Sequence, residues 1–200
     1  MPELRRLKPQ PDHRFAFLQG FLERPKEVGS IIPSSRFLER RLVRAARVDT
    51  AKVLVELGPG TGGTTRALLR AMDPSARLLA LEVNPRFVEL LRRIDDPRLV
   101  VHHGDAAEIS VALDRYNLPT PDVILSGIPF STMAKGAGRD ILRSVHDSLH
   151  PGGLFIAYQV RDRVESLGRE VFGRARVQTE IWNVPPMRVY RWEKTGDGAW

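Results

Sequence analysis

The chain has 200 residues, of which 42 % are hydrophobic and 28 % charged, which suits one globular domain with a sizeable core. It contains no cysteine and no apolar run of about 18 residues, which excludes a disulfide framework, a thiolate metal site and an expected membrane span. Lys and Arg total 31 against 24 Asp and Glu, and the net charge of +7 biases its partners toward anions such as nucleic acid or anionic lipid.

The opening stretch, MPELRRLKPQPDHR, lacks the apolar core of a signal peptide, so a cytoplasmic location is expected. Asp12 is placed to cap a helix running to Arg24, stopped by Pro25. Phe15, Leu18, Phe21 and Leu22 recur on one face of it, with Arg5, Arg6, Lys8, Arg14, Arg24 and Lys26 around them. Such a helix either packs on the domain or lies on an anionic membrane surface and covers a substrate mouth. Ser34 or Ser35 then caps a strongly basic helix carrying Arg36, Arg40, Arg41, Arg44 and Arg47, with Phe37, Leu38, Leu42 and Val43 facing inward. These helices make residues 1–48 an N-terminal extension; residues 49–194 form the main domain and 195–200 a tail.

From residue 53 strands and helices alternate. Strands are expected at 53–57, 77–82, 98–102, 121–126 and 154–160, each followed by a helix or turn, near 62–72, 85–94, 107–115, 136–149 and 161–172. Two late β runs, near 175–183 and 188–193, are joined through Asn183–Met187 and predict an antiparallel edge. The fold class is therefore α/β: a doubly wound, Rossmann-like, seven-stranded and mostly parallel sheet, with ligands at the carboxyl ends of the strands.

The densest signal is KVLVELGPGTGG at 52–63, a strand, a glycine turn and a helix start. Gly58, Gly60 and Gly63 match the G-x-G-x-x-G of a pyrophosphate cradle, a weak match alone. Gly58, Gly60 and Gly62 also match G-x-G-x-G, with Glu56 just before it. A carboxylate there repels a pyrophosphate and suits a ligand bearing an ammonium and a sulfonium. ELGPGTG thus resembles the first motif of the S-adenosylmethionine-dependent methyltransferases. Glu82 ends the second strand, about 20 residues on, where a carboxylate accepts hydrogen bonds from ribose hydroxyls. Gly104–Asp105 follow the third strand; in the methyltransferase pattern an acid there meets the adenine amino group, with Ala106 beside it. Pro151–Gly152–Gly153 after a helix is also typical of that fold. No constellation for hydride transfer accompanies the glycines.

The fourth strand ends Ser126–Gly127–Ile128–Pro129–Phe130–Ser131, which resembles the N-[IL]-P-[YF] loop of the rRNA adenine dimethyltransferases. Their Asn holds the target base and the aromatic stacks on it. Here Gly127 stands at the Asn position, which speaks against nucleic acid, as does the lack of an RNA-reading domain after the fold. Phe130 either lines an apolar or cationic pocket or is a core aromatic.

IIPSSRFL, ELGPGTGGTT, LLALEVNP, HHGDA, ILSGIPFS, PGG and NVPPMRVYRW together resemble the bacterial phospholipid N-methyltransferases over nearly all of residues 28–194. The resemblance implies methylation of phosphatidylethanolamine toward phosphatidylcholine by S-adenosylmethionine, with S-adenosylhomocysteine as product, on the inner face of the cell membrane. Mono- and dimethyl lipids and ornithine lipids are alternative acceptors, and an rRNA adenine methyltransferase is the alternative class. It also implies peripheral binding through the N-terminal helix, no metal and no obligate protein partner. The cofactor would meet Glu56, Gly58, Pro59, Gly60, Thr61, Gly62, Glu82, Val83, Gly104, Asp105, Ala106, Ser126 and Ser35. Ser34, Arg36, Pro129, Arg188 and Tyr190 would meet the lipid, and Ile128, Phe130 and Tyr158 would flank the methyl transfer. Tyr158 either orients the amine or relays its proton, or is a core residue; Arg36 and Arg188 either pair with the lipid phosphate or are surface arginines. His146 and His150 read as structural.

Overall fold

A computed structural model describes residues 34–196. The expected helix over Asp12–Arg24 and the end of the tail lie outside these residues. The described elements, in chain order, are α1 (Arg36–Ala45), β1 (Val53–Leu57), α2 (Gly63–Ala71), β2 (Arg77–Glu82), α3 (Pro85–Arg92), β3 (Leu99–His103), α4 (Ile109–Arg115), β4 (Val123–Ser126), α5 (Lys135–Ser148), β5 (Leu154–Gln159), α6 (Arg163–Phe172), β6 (Arg176–Glu180) and β7 (Met187–Glu193). The seven strands form one sheet in the order β3-β2-β1-β4-β5-β7-β6. The first five are parallel, and β7 runs antiparallel to both its neighbours, giving the expected antiparallel edge.

The parallel strands β1, β2, β4 and β5 are short apolar runs because both of their faces are covered. On one face Val53, Val55, Leu57, Ile124 and Phe155 pack against Ile109, Ile141, Leu142, Val145 and Leu167 of α4, α5 and α6. On the other, Leu54, Leu78, Leu125 and Ile156 pack against Leu38 and Leu42 of α1 and Leu68 and Leu69 of α2. The alternation at 53, 54, 55 and 57 puts Glu56 on the α1–α2 side, buried with the apolar residues. Strand β1 starts where Asp122 accepts hydrogen bonds from the main-chain N–H of Lys52 (2.7 Å) and Val53 (3.0 Å), so β4 begins at Val123, two residues later than expected.

Ser35 is the N-cap of α1, accepting from the Leu38 N–H, as the sequence implies. Phe37 departs from expectation: it was read as inward and stands 37 % exposed, while Leu38 and Leu42 carry the burial. Positions 38 and 42 are one turn apart and share the inner face; Phe37 falls on the flank. Ala46 and Val48 are also buried, so one face of residues 34–48 belongs to the core on this side of the sheet.

The antiparallel edge is locked by aromatic rings. Phe155 of β5 is the register partner of Trp192 of β7, with ring centroids 5.3 Å apart, and Tyr190 and Phe172 extend the stack. Gly168 of α6 lets the helix lie directly on Trp192: a Cβ there would stand 2.4 Å from the indole. Gly168→Ala gains about 1 kcal/mol in helix propensity but forces an overlap worth roughly 1–3 kcal/mol or more. We expect the clash to win and the melting temperature to fall by roughly 2–8 °C; an unchanged or higher temperature in a thermal melt would contradict this packing.

Candidate active site

The carboxyl ends of the parallel strands open into a cavity of about 700 Å³, within the ~300–1,000 Å³ typical of small-molecule sites. Main-chain hydrogen bonds set its floor: Gly58 N–H to Leu81 carbonyl (2.9 Å), Gly104 N–H to Glu82 carbonyl (3.1 Å) and Gly127 N–H to Leu57 carbonyl (2.9 Å). These tie the four strand exits into one ledge, so four sequence-distant turns converge on one space.

The glycine turn forms one end. Gly58 and Gly60 have φ of +66° and +58°, a region L side chains rarely occupy. A Cβ on Gly58 would also press to 3.1 Å from the Ile128 side chain. Glu82 accepts hydrogen bonds from the main-chain N–H of Gly60 (3.0 Å) and Asn84 (2.9 Å), and its carboxyl is pushed up in pKa, by burial first, against the pull of those bonds. The carboxylate expected to receive a ribose therefore also shapes the turn. Pro59, Thr61, Val83, Gly104, Asp105 and Ala106 share this wall. Asp105 accepts from the Ala107 N–H (2.8 Å), which fixes its side chain at the cavity.

Glu56 differs from expectation. It lies behind the wall, fully buried, with Oε2 accepting from Thr65 Oγ1 at 2.6 Å. Burial pushes its carboxyl up to about 7, the Thr65 hydrogen bond lowers it and the charge of Glu82 raises it further. Its Oε1 is buried without a hydrogen-bond partner, a costly state for a carboxylate oxygen. Gly62 is likewise off the wall, as the left-handed N-cap of α2. Ser126 is buried, its hydroxyl accepting from the Ile128 N–H (3.3 Å), and Ser35 is occupied by α1 and by Asn183.

The rest of the cavity lining mixes apolar residues, Ile128, Pro129, Met133, Ile141, Val160 and Met187, with Ser131, Thr132, Gln159 and Arg161. Gly127 and Tyr158 meet there: any side chain at 127 would begin 2.5 Å from the Tyr158 hydroxyl and 3.0 Å from the Gly58 carbonyl oxygen. Tyr158 thus fills the place from which an Asn would project. Its hydroxyl lies 3.4 Å from Thr64 Oγ1, itself 3.3 Å from Ser34 Oγ, a file of hydroxyls along the cavity. Burial, and then the charge of Glu56, push the Tyr158 phenol well above its ordinary range, so it stays protonated at neutral pH. Gln159, buried, donates to the Ile128 carbonyl and pins the 127–129 loop.

Several expected residues stand elsewhere. Phe130 is fully buried in the core and does not line the cavity, because the short helical turn at Phe130–Thr132 carries its ring inward. Tyr190 belongs to the aromatic stack on β7. Arg36 is exposed, its guanidinium over the Phe37 ring at 5.0 Å, and Arg188 is exposed 3.5 Å from Asp162. The arginine on the cavity wall is Arg161, which sequence reasoning passed over. Thr64 and Gln159 were missed as well; nothing in their local spacing distinguishes them. His146 packs on Phe172 and His150 bonds the Pro151 carbonyl.

The Gly127–Tyr158 contact is testable on stability alone. Gly127→Ala should cost about 1–3 kcal/mol. Combined with Tyr158→Phe, which removes the nearest of the three crowding atoms, the loss should shrink by at least about a third, a coupling measurable by urea titration of the four proteins in a double-mutant cycle. Strict additivity would show that the two positions do not share this space.

Residues 54–153 match the family model described as a methyltransferase domain. The ornithine lipid N-methyltransferase of Singulisphaera acidiphila is 31 % identical over 179 residues, covering 88 % of this chain and 93 % of that protein. The ribosomal RNA small subunit methyltransferase A of Phenylobacterium zucineum is 32 % identical over 146 residues, but the chain spans about half of that relative's length (48 %). Among solved structures, the N-methyltransferase NodS of Bradyrhizobium japonicum with S-adenosyl-l-homocysteine superposes with a TM-score of 0.65 at 16 % identity, covering 92 % of this chain and 100 % of that one. The 1,6-didemethyltoxoflavin-N1-methyltransferase of Burkholderia thailandensis gives 0.67 at 17 %, covering 96 % and 94 %. The ledge of strand ends, the glycine turn and these likenesses agree: this chain belongs to the methyltransferase-domain family.

Proposed function

We propose that the chain is a lipid N-methyltransferase, which methylates the amine headgroup of phosphatidylethanolamine and its mono- and dimethyl derivatives at the inner face of the cell membrane. The observation that carries this reading is the acceptor end of the cavity: Tyr158 stands against Gly127, no Asn side chain is there to read a base, and aliphatic residues share the wall with Arg161. The similarity to an ornithine lipid N-methyltransferase supports a lipid acceptor and favours ornithine lipid as a second one. Both headgroups place an anion near an amine, and Arg161 on the wall suits either anion.

The methyl donor is S-adenosylmethionine, which supplies an electrophilic methyl carbon on a sulfonium. The residues fit it: a glycine turn that side chains would fill, Glu82 and Asp105 at the wall, and the unpartnered Glu56 Oε1 beneath. Gly58–Thr61, Glu82, Asp105 and Ala106 would hold it. The chain's own part in the chemistry is positioning. A primary ammonium has a pKa of about 10 and must lose its proton to become a nucleophile. The aliphatic end of the cavity disfavours the charged form and lowers that value. Tyr158, held protonated, is a hydrogen-bonding group that orients the amine and is no base at neutral pH. Gln159 keeps the Ile128–Pro129 loop at a fixed distance from the glycine turn.

Two measurements test this. Purified protein with methyl-labelled S-adenosylmethionine should label phosphatidylethanolamine, partly methylated lipids and ornithine lipid, but not rRNA, in parallel reactions resolved by chromatography. Label confined to rRNA would overturn the reading. The second concerns Glu56. Its folded pKa of about 7 lies above the unfolded value of 4.5, so the stability tied to its proton is full below 4.5 and lost as pH rises through 7, about 3 kcal/mol in all. Glu56→Gln should therefore flatten the fall in unfolding free energy between pH 5 and 8. In the same variant, cofactor affinity should be weaker and should no longer tighten from pH 6 to 7.5, as titration calorimetry would show. Identical pH profiles in the two proteins would remove Glu56 from the cofactor site.

A further inference from the structure

The turn between β6 and β7 is built inside out. Its polar residues are buried: Glu180 is 3 % exposed and Asn183 1 %. Its large apolar residues face solvent: Ile181 is 64 % exposed, Trp182 69 % and Val184 89 %. The inversion is held rigidly. Glu180 accepts from Arg41 Nε (2.8 Å) and from the Trp182 N–H (3.0 Å). Asn183 accepts from the Ser35 N–H (2.9 Å) and donates to the Pro185 carbonyl (2.9 Å). The buried polar groups clamp the turn to the start of α1, and nothing in that clamp requires the outer positions to be apolar. The exposed Phe37 joins the patch, its ring centroid 6.2 Å from that of Trp182.

Positive charge lies along one side of this patch. Phe37 also borders a groove of about 500 Å³ lined by Arg40, Arg41, Arg44, Arg176 and Arg191. The acid in its wall, Glu180, is already paired with Arg41. On the other side the turn continues into Pro185 and Met187, which line the catalytic cavity. An apolar tip carrying a tryptophan, with guanidinium groups along one side, has the composition of a surface that enters a bilayer interface while cations meet lipid phosphates.

We propose that the β6–β7 turn, with Phe37, docks on a bilayer containing anionic phospholipid, seating Ile181, Trp182 and Val184 at the headgroup level and presenting the cavity mouth to the membrane. The inference rests on the lipid reading of the acceptor and specifies how that acceptor is reached. It is independent of the expected N-terminal membrane helix.

The full chain should co-sediment with vesicles of equal parts phosphatidylglycerol and phosphatidylcholine, and less with phosphatidylcholine alone. The triple variant Ile181→Ser, Trp182→Ser, Val184→Ser should lose about ten-fold or more of this partitioning. It should bind S-adenosylhomocysteine like the unaltered chain in calorimetry, which also reports that it folds. A short-chain, monomeric phosphatidylethanolamine, which needs no bilayer, is the control for catalysis. Its methylation at equal rates by both proteins, with vesicle binding lost only in the triple variant, would support the inference. Vesicle binding unchanged in the triple variant would overturn it, as would a patch whose substitution abolishes self-association in sedimentation velocity instead. Failure of both proteins to methylate any lipid would sink the proposed function, while the vesicle result would still decide whether this turn docks.

Discussion

A carboxyl group is buried under the glycine turn with half of its hydrogen-bonding capacity unused. Glu56 sits on a central strand among leucines, and the Thr65 hydroxyl is the one bond that offsets its burial. An apolar residue of similar size would stabilise the sheet better. The charge state of this group is coupled to both halves of the site. Glu82, at the end of the neighbouring strand, raises its pKa, and Glu56 in turn raises that of Tyr158. A cation arriving near the turn would relieve this stress, whereas an anion would add to it.

The glycine-turn half of the cavity was legible in the sequence because its requirements are backbone requirements. Positive φ at Gly58 and Gly60 demands glycine, and strand ends must carry the carboxylates at 82 and 105, so identity and spacing reveal them. The fold was legible for a related reason: strands buried on both faces read as apolar runs, and even the antiparallel edge announced itself in NVPPMRVYRW. The orientation of Glu56 was not legible. Strand alternation says that 56 shares a face with 54, but which helix covers that face is a tertiary fact.

The opposite half of the cavity was less legible because its residues act through packing. Gly127 read as a missing asparagine. The structure shows a position that Tyr158, 31 residues later and on the adjacent strand, has already filled. Phe130, expected in the cavity on the strength of its motif, is turned into the core by a short helical turn, and its place on the wall goes to Met133 and Ile141. Arginines were the least legible class. With a net charge of +7 they are too common to choose among by spacing, so Arg36 and Arg188 were read for the headgroup, whereas Arg161 reaches the wall.

The inverted turn between β6 and β7 follows from the same limit. Hydropathy along Glu180–Met187 reads as an ordinary strand connection, because alternating polar and apolar residues normally mean apolar in and polar out. Two buried polar anchors reverse that sense. Once Glu180 is committed to Arg41 and Asn183 to Ser35, the residues between and beside them have no inward path. A surface helix basic enough to clamp a buried glutamate also leaves Arg40 and Arg44 exposed beside the apolar tip. The cationic groove and the apolar tip beside it are therefore one construction, and they arise from the pairing of α1 with the β6–β7 turn, contacts that span 139 and 148 residues of chain. A pattern that depends on such distant pairs is invisible to any window of sequence, and it becomes readable only when the two ends of the fold are seen against each other.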